Sequence, residues 1–196
     1  MKKFKVVLFL LFISFCFLGN LCAETLTPTK TIEKAIDEII VIVEKLPGTE
    51  NSTPRRDEIM SVVEKVFDFE DMAKRALGAN WVNITKDQQT EYVDLFSKFL
   101  AKTYIDKVED VKAGIVTFDS ERIIDDKALV KTKVKLNDEL FPLDYKLQSH
   151  PNQWRVYDVV IENVGLVTNY RNEFAGIMRK EKFEGLMERL RKKVNS

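Results

Sequence analysis

QWRVYDVVIENVGLVTNYRNEFAGIM, residues 153–178, changes its apolar period halfway along. From Trp154 to Ile161 the pattern is that of a strand with two apolar faces: Trp154, Val156 and Val160 on one, Tyr157, Val159 and Ile161 on the other. Asp158 interrupts the first face and Arg155 the second. A link from Glu162 to Thr168 then leads into a helix with Tyr170 and Phe174 one turn apart on a single face. A strand apolar on both sides must be covered on both sides or line a cavity. The segment therefore predicts a sheet with helices packed against it.

The same residues carry a longer pattern. Trp154, Val156, Tyr157, Asp158, Val159, Ile161, Val164, Leu166, Val167, Asn169, Tyr170, Arg171 and Phe174 fit W-x-V-Y-D-V-x-I-x-G-V-S-L-V-x-N-Y-R-x-x-F. This segment resembles the carboxy-terminal signature of the MlaC, or toluene-tolerance, family of periplasmic phospholipid-binding proteins. Asn163 and Gly165 stand where that family usually has Gly and Ser, so the glycine lies two places later.

Upstream, VFDFEDMAKRALGANWVNITKDQQTEYVDLFSKFLAKTY, residues 66–104, is similar to a second block of the same family. Val66, Phe67, Asp68, Phe69, Met72, Ala73, Ala76, Leu77, Gly78, Trp81, Thr85, Gln88, Phe96, Leu100 and Tyr104 match it. Local physics gives many of these a structural role. Asp68 suits the N-cap of a helix over Phe69 to Leu77, and Gly78 supplies the positive φ that ends it. Thr85 and Gln88 have capping-box spacing. Tyr92, Leu95, Phe96, Phe99 and Tyr104 then make an aromatic stripe at helical spacing. Such a stripe is more often packed core than ligand site.

The rest of the chain completes the layout. Thr29 to Leu46 predicts a helix with a broad apolar stripe ended by Pro47-Gly48, and Pro54 opens a second helix reaching Val66. From about Gly114 the period falls to two. Ala128, Val130, Thr132, Val134 and Leu136 alternate with Lys131, Lys133 and Lys135, a strand with one buried face and one basic, wet face. Phe141, Leu143, Tyr145 and Leu147 form the next strand, in which Pro142 marks an edge, a strand start or a bulge. Asn137-Asp138 and Ser149 to Asn152 are the turns. With a weaker strand through Ile115 to Phe118, four strands form an antiparallel meander. Phe183, Leu186, Met187 and Leu190 mark a terminal amphipathic helix whose basic tip complements its dipole. The fold class is α+β: helices packed on a curved antiparallel four-stranded sheet, which the resemblance further implies encloses an apolar lipid cleft.

Residues 1–23 read as a secretory signal: a basic start, an apolar run from Val6 to Leu18, and a small residue, Ala23, before the cut. Residues 24–196 then form a single domain. Both cysteines, Cys16 and Cys22, fall in the signal, so the remainder has neither a disulfide nor a thiol nucleophile. Three of the 31 basic residues also lie there, leaving a net charge of −3. That balance argues against a nucleic-acid partner. The lone histidine, His150, precedes Pro151 in a turn and is expected to be solvated; no phosphate loop or metal-ligand spacing is found. An enzyme of steroid-isomerase-like shape is the alternative, with Asp158 or Asp144 as a buried base beside Tyr157, Tyr145 or Tyr170.

The resemblance implies a non-enzymatic, monomeric phospholipid carrier in the periplasm, without a cofactor. It further implies two partners: an inner-membrane ABC transporter complex with an MCE-domain ring, and an outer-membrane lipoprotein–porin complex. The residues expected to line its acyl cleft are Phe67, Met72, Trp81, Phe96, Leu100, Tyr104, Val130, Val134, Tyr145, Leu147, Val156, Val159, Tyr170 and Phe174. Arg171 is expected either at the rim near a phosphate or in an internal salt bridge.

Overall fold

Capping chemistry sets most of the helix ends. The computed structural model describes residues 26–195 except 113, 137 and 138, so the signal segment and the turn at Asn137-Asp138 lie outside the described residues. Helix α1 (Pro28–Lys45) starts where the Thr27 hydroxyl accepts the Lys30 N–H at 3.2 Å, and α2 (Ser52–Val66) follows. Asp68 accepts the Asp71 N–H at 3.0 Å to start α3 (Phe69–Leu77), which ends at Gly78 with φ +61°. A 3-10 segment (Gly78–Asn83) leads to α4 (Lys86–Glu109), whose Thr85–Gln88 capping box closes in both directions. The caps of α3 and the start of α4 are where the sequence puts them, whereas α2 begins at Ser52, two residues before Pro54.

The strands are β1 (Val116–Ile124), β2 (Lys127–Leu136), β3 (Glu139–His150), β4 (Gln153–Ile161) and a two-residue β5 (Val164–Gly165). They form one antiparallel sheet in sequence order, the four expected strands plus the short fifth. Between β4 and β5, Glu162 and Asn163 both have positive φ, as a two-residue hairpin requires. Asparagine tolerates that conformation, which is how the link does without a glycine at 163. Gly165 serves another purpose: a Cβ there would meet the Asp158 carboxylate at 2.9 Å. Pro142 falls in β3 opposite Lys133, just before the first β3–β4 pair, Leu143 with Ile161. On its β4 side the Pro142 carbonyl accepts the Glu162 N–H at 3.1 Å, so proline forfeits only the reciprocal donor at the last position of the ladder.

A bulge corrects the faces read from simple alternation. Lys146 pairs with Asp158 but Leu147 pairs with Val156, which leaves Tyr157 as the extra residue. Cross-strand partners share a face, so Val156, Val159 and Ile161 now lie together with Leu147, Tyr145 and Leu143. Asp158 and Val160 point the other way, and Tyr157 sits under the Arg75 guanidinium, 4.4 Å from its ring centre.

The last helical element, α5 (Leu166–Asn195), breaks once at Lys182, with φ +63° and ψ −169°. Its two parts are the expected Tyr170 helix and terminal helix. The main core lies between the helices and the inner face of the sheet, from Ile32 on α1 to Leu190 on α5. A second, smaller core joins α1, α2 and α4 through Ile39, Ile42, Ile59, Val62 and Ile105. Arg55 closes that core over Glu109 at 2.7 Å.

Candidate functional site

The inner face of the sheet is largely apolar, but its burial is uneven. At one end Ala128 and Val130 on β2, Leu147 on β3 and Val156 on β4 are at most 5% exposed. At the other end Val116 and Phe118 on β1, Val134 on β2, Phe141 and Leu143 on β3, and Ile161 on β4 are only half-buried. Register ties them into rows: Val116 pairs with Val134 and Val134 with Phe141, while Leu143 pairs with Ile161. Phe118, Leu143 and Ile161 still pack against the main core, while Val116, Val134 and Phe141 lie beyond it. This end of the inner face is an apolar surface that the rest of the protein covers only in part.

The facing helices present aromatic rings. Phe99 on α4 meets Tyr170 on α5 edge-on at 5.2 Å, and Tyr170 lies 5.6 Å from Phe174. The Tyr104 and Tyr170 hydroxyls approach to 3.4 Å. Burial first, then this contact, pushes the Tyr170 hydroxyl well above its ordinary value, so it stays protonated. Deeper in, Tyr92 is fully buried among Trp81, Phe96, Phe174 and Phe183, and its hydroxyl has no partner among the described residues.

The residues singled out from sequence divide by burial. Met72, Trp81, Phe96, Leu100, Val130, Leu147, Val156, Val159, Tyr170 and Phe174 are buried in the main core, and Phe67, Tyr104 and Tyr145 are half-buried against it. Val134 lies at the open end of the inner face, half-buried between Val116 and Phe141. Phe67 adjoins the outer edge of β4, bridging to Val156 and stacked on Phe69 at 6.0 Å. Arg171 stands apart: exposed, it packs over Gly78 and donates its Nε–H to the Arg75 carbonyl at 2.8 Å. Its partner is a helix-end carbonyl and not the carboxylate of a salt bridge.

The sequence-based selection left out Val116, Phe118, Phe141, Leu143 and Ile161, neighbours of Val134 and Tyr145 on the same face. Period-two alternation marks Phe141 and Leu143 directly. Ile161 joins the face of Val156 only because of the bulge, which leaves no plain mark in the sequence.

The acidic residues that would serve an isomerase are engaged elsewhere. Asp158 is 4% exposed, accepts the Val167 N–H at 3.0 Å and pairs with Lys146 Nζ at 3.0 Å. Asp144 accepts the Thr132 N–H at 3.3 Å. His150 is not simply solvated: its Nε2 lies 3.1 Å from Asp68 Oδ2, tying the β3–β4 hairpin to the cap of α3.

A family model described as MlaC protein matches residues 33–192. The chain belongs to the MlaC family. The fold also matches a solved structure, that of a phospholipid-binding protein from Ralstonia solanacearum in complex with a phospholipid. The TM-score is 0.74 at 26% sequence identity, over 84% of this chain and 95% of that one. This MlaC-family chain is thus similar to a lipid-binding protein over nearly the whole of that protein's length. The order of helices around an antiparallel meander is the shared architecture.

Proposed function

We propose that the protein is a phospholipid carrier that moves lipid through an aqueous compartment between two membranes. The observation that carries this reading is the half-buried apolar end of the inner sheet face, where Val116, Val134 and Phe141 lie beyond the main core. Exposing such a surface is unfavourable, by roughly 25 cal/mol per Å². A diacyl lipid has the same problem in water, about 0.8 kcal/mol for each exposed methylene. Seating its chains between β3 and the aromatic faces of α4 and α5 relieves both. Family membership and the likeness to a phospholipid complex support the same conclusion.

In this reading the acyl chains enter between Val134, Tyr145 and Tyr104 and displace the helices outward from Val130 and Val159, carrying Tyr170 and Phe174 with them. Phe67, Met72, Trp81, Phe96, Leu100, Leu147 and Val156 form the deeper wall. Arg171, whose Nε alone is taken by the Arg75 carbonyl, keeps its Nη groups for a headgroup phosphate. Residues 1–23 direct export, and the carrier works as a monomer in the periplasm. It would collect or deliver lipid at an inner-membrane ABC complex with an MCE-domain ring and at an outer-membrane lipoprotein–porin complex.

Mass spectrometry of an organic extract of the purified protein, together with uptake from labelled vesicles, tests the proposal. Bound phospholipid at near-stoichiometric yield is expected. An extract without phospholipid and no uptake would overturn it.

A further inference from the structure

Three residues in the two central rows of the inner face carry polar side-chain atoms, and two of them are already satisfied by the protein. Glu121, opposite Val130, accepts the Thr29 N–H at the start of α1 at 2.7 Å. Thr132 is 1% exposed and donates its hydroxyl to the Leu143 carbonyl. The third is Tyr145, in the middle of β3 between Val130 and Val159. Desolvation pushes its hydroxyl up to about 12. Among the described residues nothing hydrogen-bonds it. The side chain is half-buried and its hydroxyl keeps some access to solvent, so an acceptor arriving through the open end of the inner face can reach it.

We infer that the Tyr145 hydroxyl positions the bound lipid by donating a hydrogen bond to an acyl-ester carbonyl. This rests on the carrier reading and adds a specificity to it. The chemistry selects a neutral acceptor. Lys131, Lys133 and Lys135, the lysines in the middle of β2, project from the opposite face, away from Tyr145. An anion there would be desolvated and unpaired, whereas an ester carbonyl needs a single donor. The hydroxyl also lies between the half-buried and the fully buried ends of the inner face. There it would mark the level at which the glycerol stops and the chains begin.

The test compares vesicles of a diacyl phosphatidylglycerol with vesicles of its dialkyl ether analogue, which lacks both carbonyls. Wild type and Tyr145→Phe are each assayed for lipid bound per protein and for affinity. Wild type is expected to prefer the ester lipid by roughly 3–10-fold, the worth of about one hydrogen bond. Tyr145→Phe should lose that preference and unfold at no lower a temperature. An ester preference that survives in Tyr145→Phe, or equal binding of both lipids by wild type, overturns the inference while leaving the carrier reading intact. Binding of neither lipid by wild type would defeat both.

Discussion

Asp158 on β4 accepts the backbone N–H of Val167, in the first turn of α5, at 3.0 Å. A helix start leaves its first N–H groups without intrahelical partners, and here a strand supplies the acceptor. The second carboxylate oxygen holds Lys146 Nζ at 3.0 Å, and Gly165 leaves the space this approach needs. One buried side chain thus fixes where α5 leaves the sheet, and with it the placement of Tyr170 and Phe174 over the inner face.

Asp158→Ala leaves a buried N–H and a lysine unpartnered, and should destabilise the fold by about 1–3 kcal/mol in urea unfolding. Asp158→Asn keeps an acceptor and should cost less. Uptake of lipid by the folded Asn variant is expected to stay within a few-fold of wild type. A complete loss of uptake at normal stability would make the carboxylate a functional group and not a structural one.

The two ends of the inner face should respond oppositely to added bulk. Val156 is fully buried, so Val156→Trp overpacks close-packed protein and should cost about 1–3 kcal/mol or more. Val134 is half-buried, so Val134→Trp fills space left for ligand. Thermal unfolding without lipid should separate them, with Val134→Trp near wild type yet carrying less lipid. Equal destabilisation by the two would mean that the face is solid along its whole length.

Tyr92 carries a hydroxyl that is buried in a ring of aromatics without a partner among the described residues. Tyr92→Phe removes an unsatisfied polar group without opening a cavity. It is expected to raise stability by about 1 kcal/mol, a shift of roughly 2–4 °C for a chain of this size. A lower unfolding temperature would show that the hydroxyl has a partner, such as an internal water.

Acid should loosen the junction of α1, α2 and α4. Burial alone would raise Glu109, but hydrogen bonds from Arg56 and Arg55 outweigh it and hold the carboxyl below its ordinary 4.5. A group depressed on folding stabilises above its unfolded pKa, and that contribution is lost as pH falls through the folded value. The urea midpoint should therefore drop below about pH 4.5. In Glu109→Gln the midpoint should start lower at pH 7 and fall less steeply. An acid dependence identical to wild type would assign the effect to other carboxylates.

Local chemistry made much of this molecule legible in one dimension. Asp68 and the Thr85–Gln88 box start their helices because a cap needs only a side chain within three residues of the N–H it satisfies. Alternation along β2 named Val130, Thr132 and Val134 as one face because side-chain direction in a regular strand depends on parity alone. The bulge at Tyr157 breaks that parity through pairing with β3, a partner several residues away across a turn, so Val156 and Val159 share a face that alternation assigns them separately. Burial is less local still. Val134 and Val130 are the same residue type on the same face of the same strand, and only the distance to the helix layer makes one half-buried and the other dry. Arg171 and His150 found partners on α3 and its cap for the same reason. Composition and spacing specify which side chains a strand or helix offers; the docking of one element on another decides which of them remain uncovered.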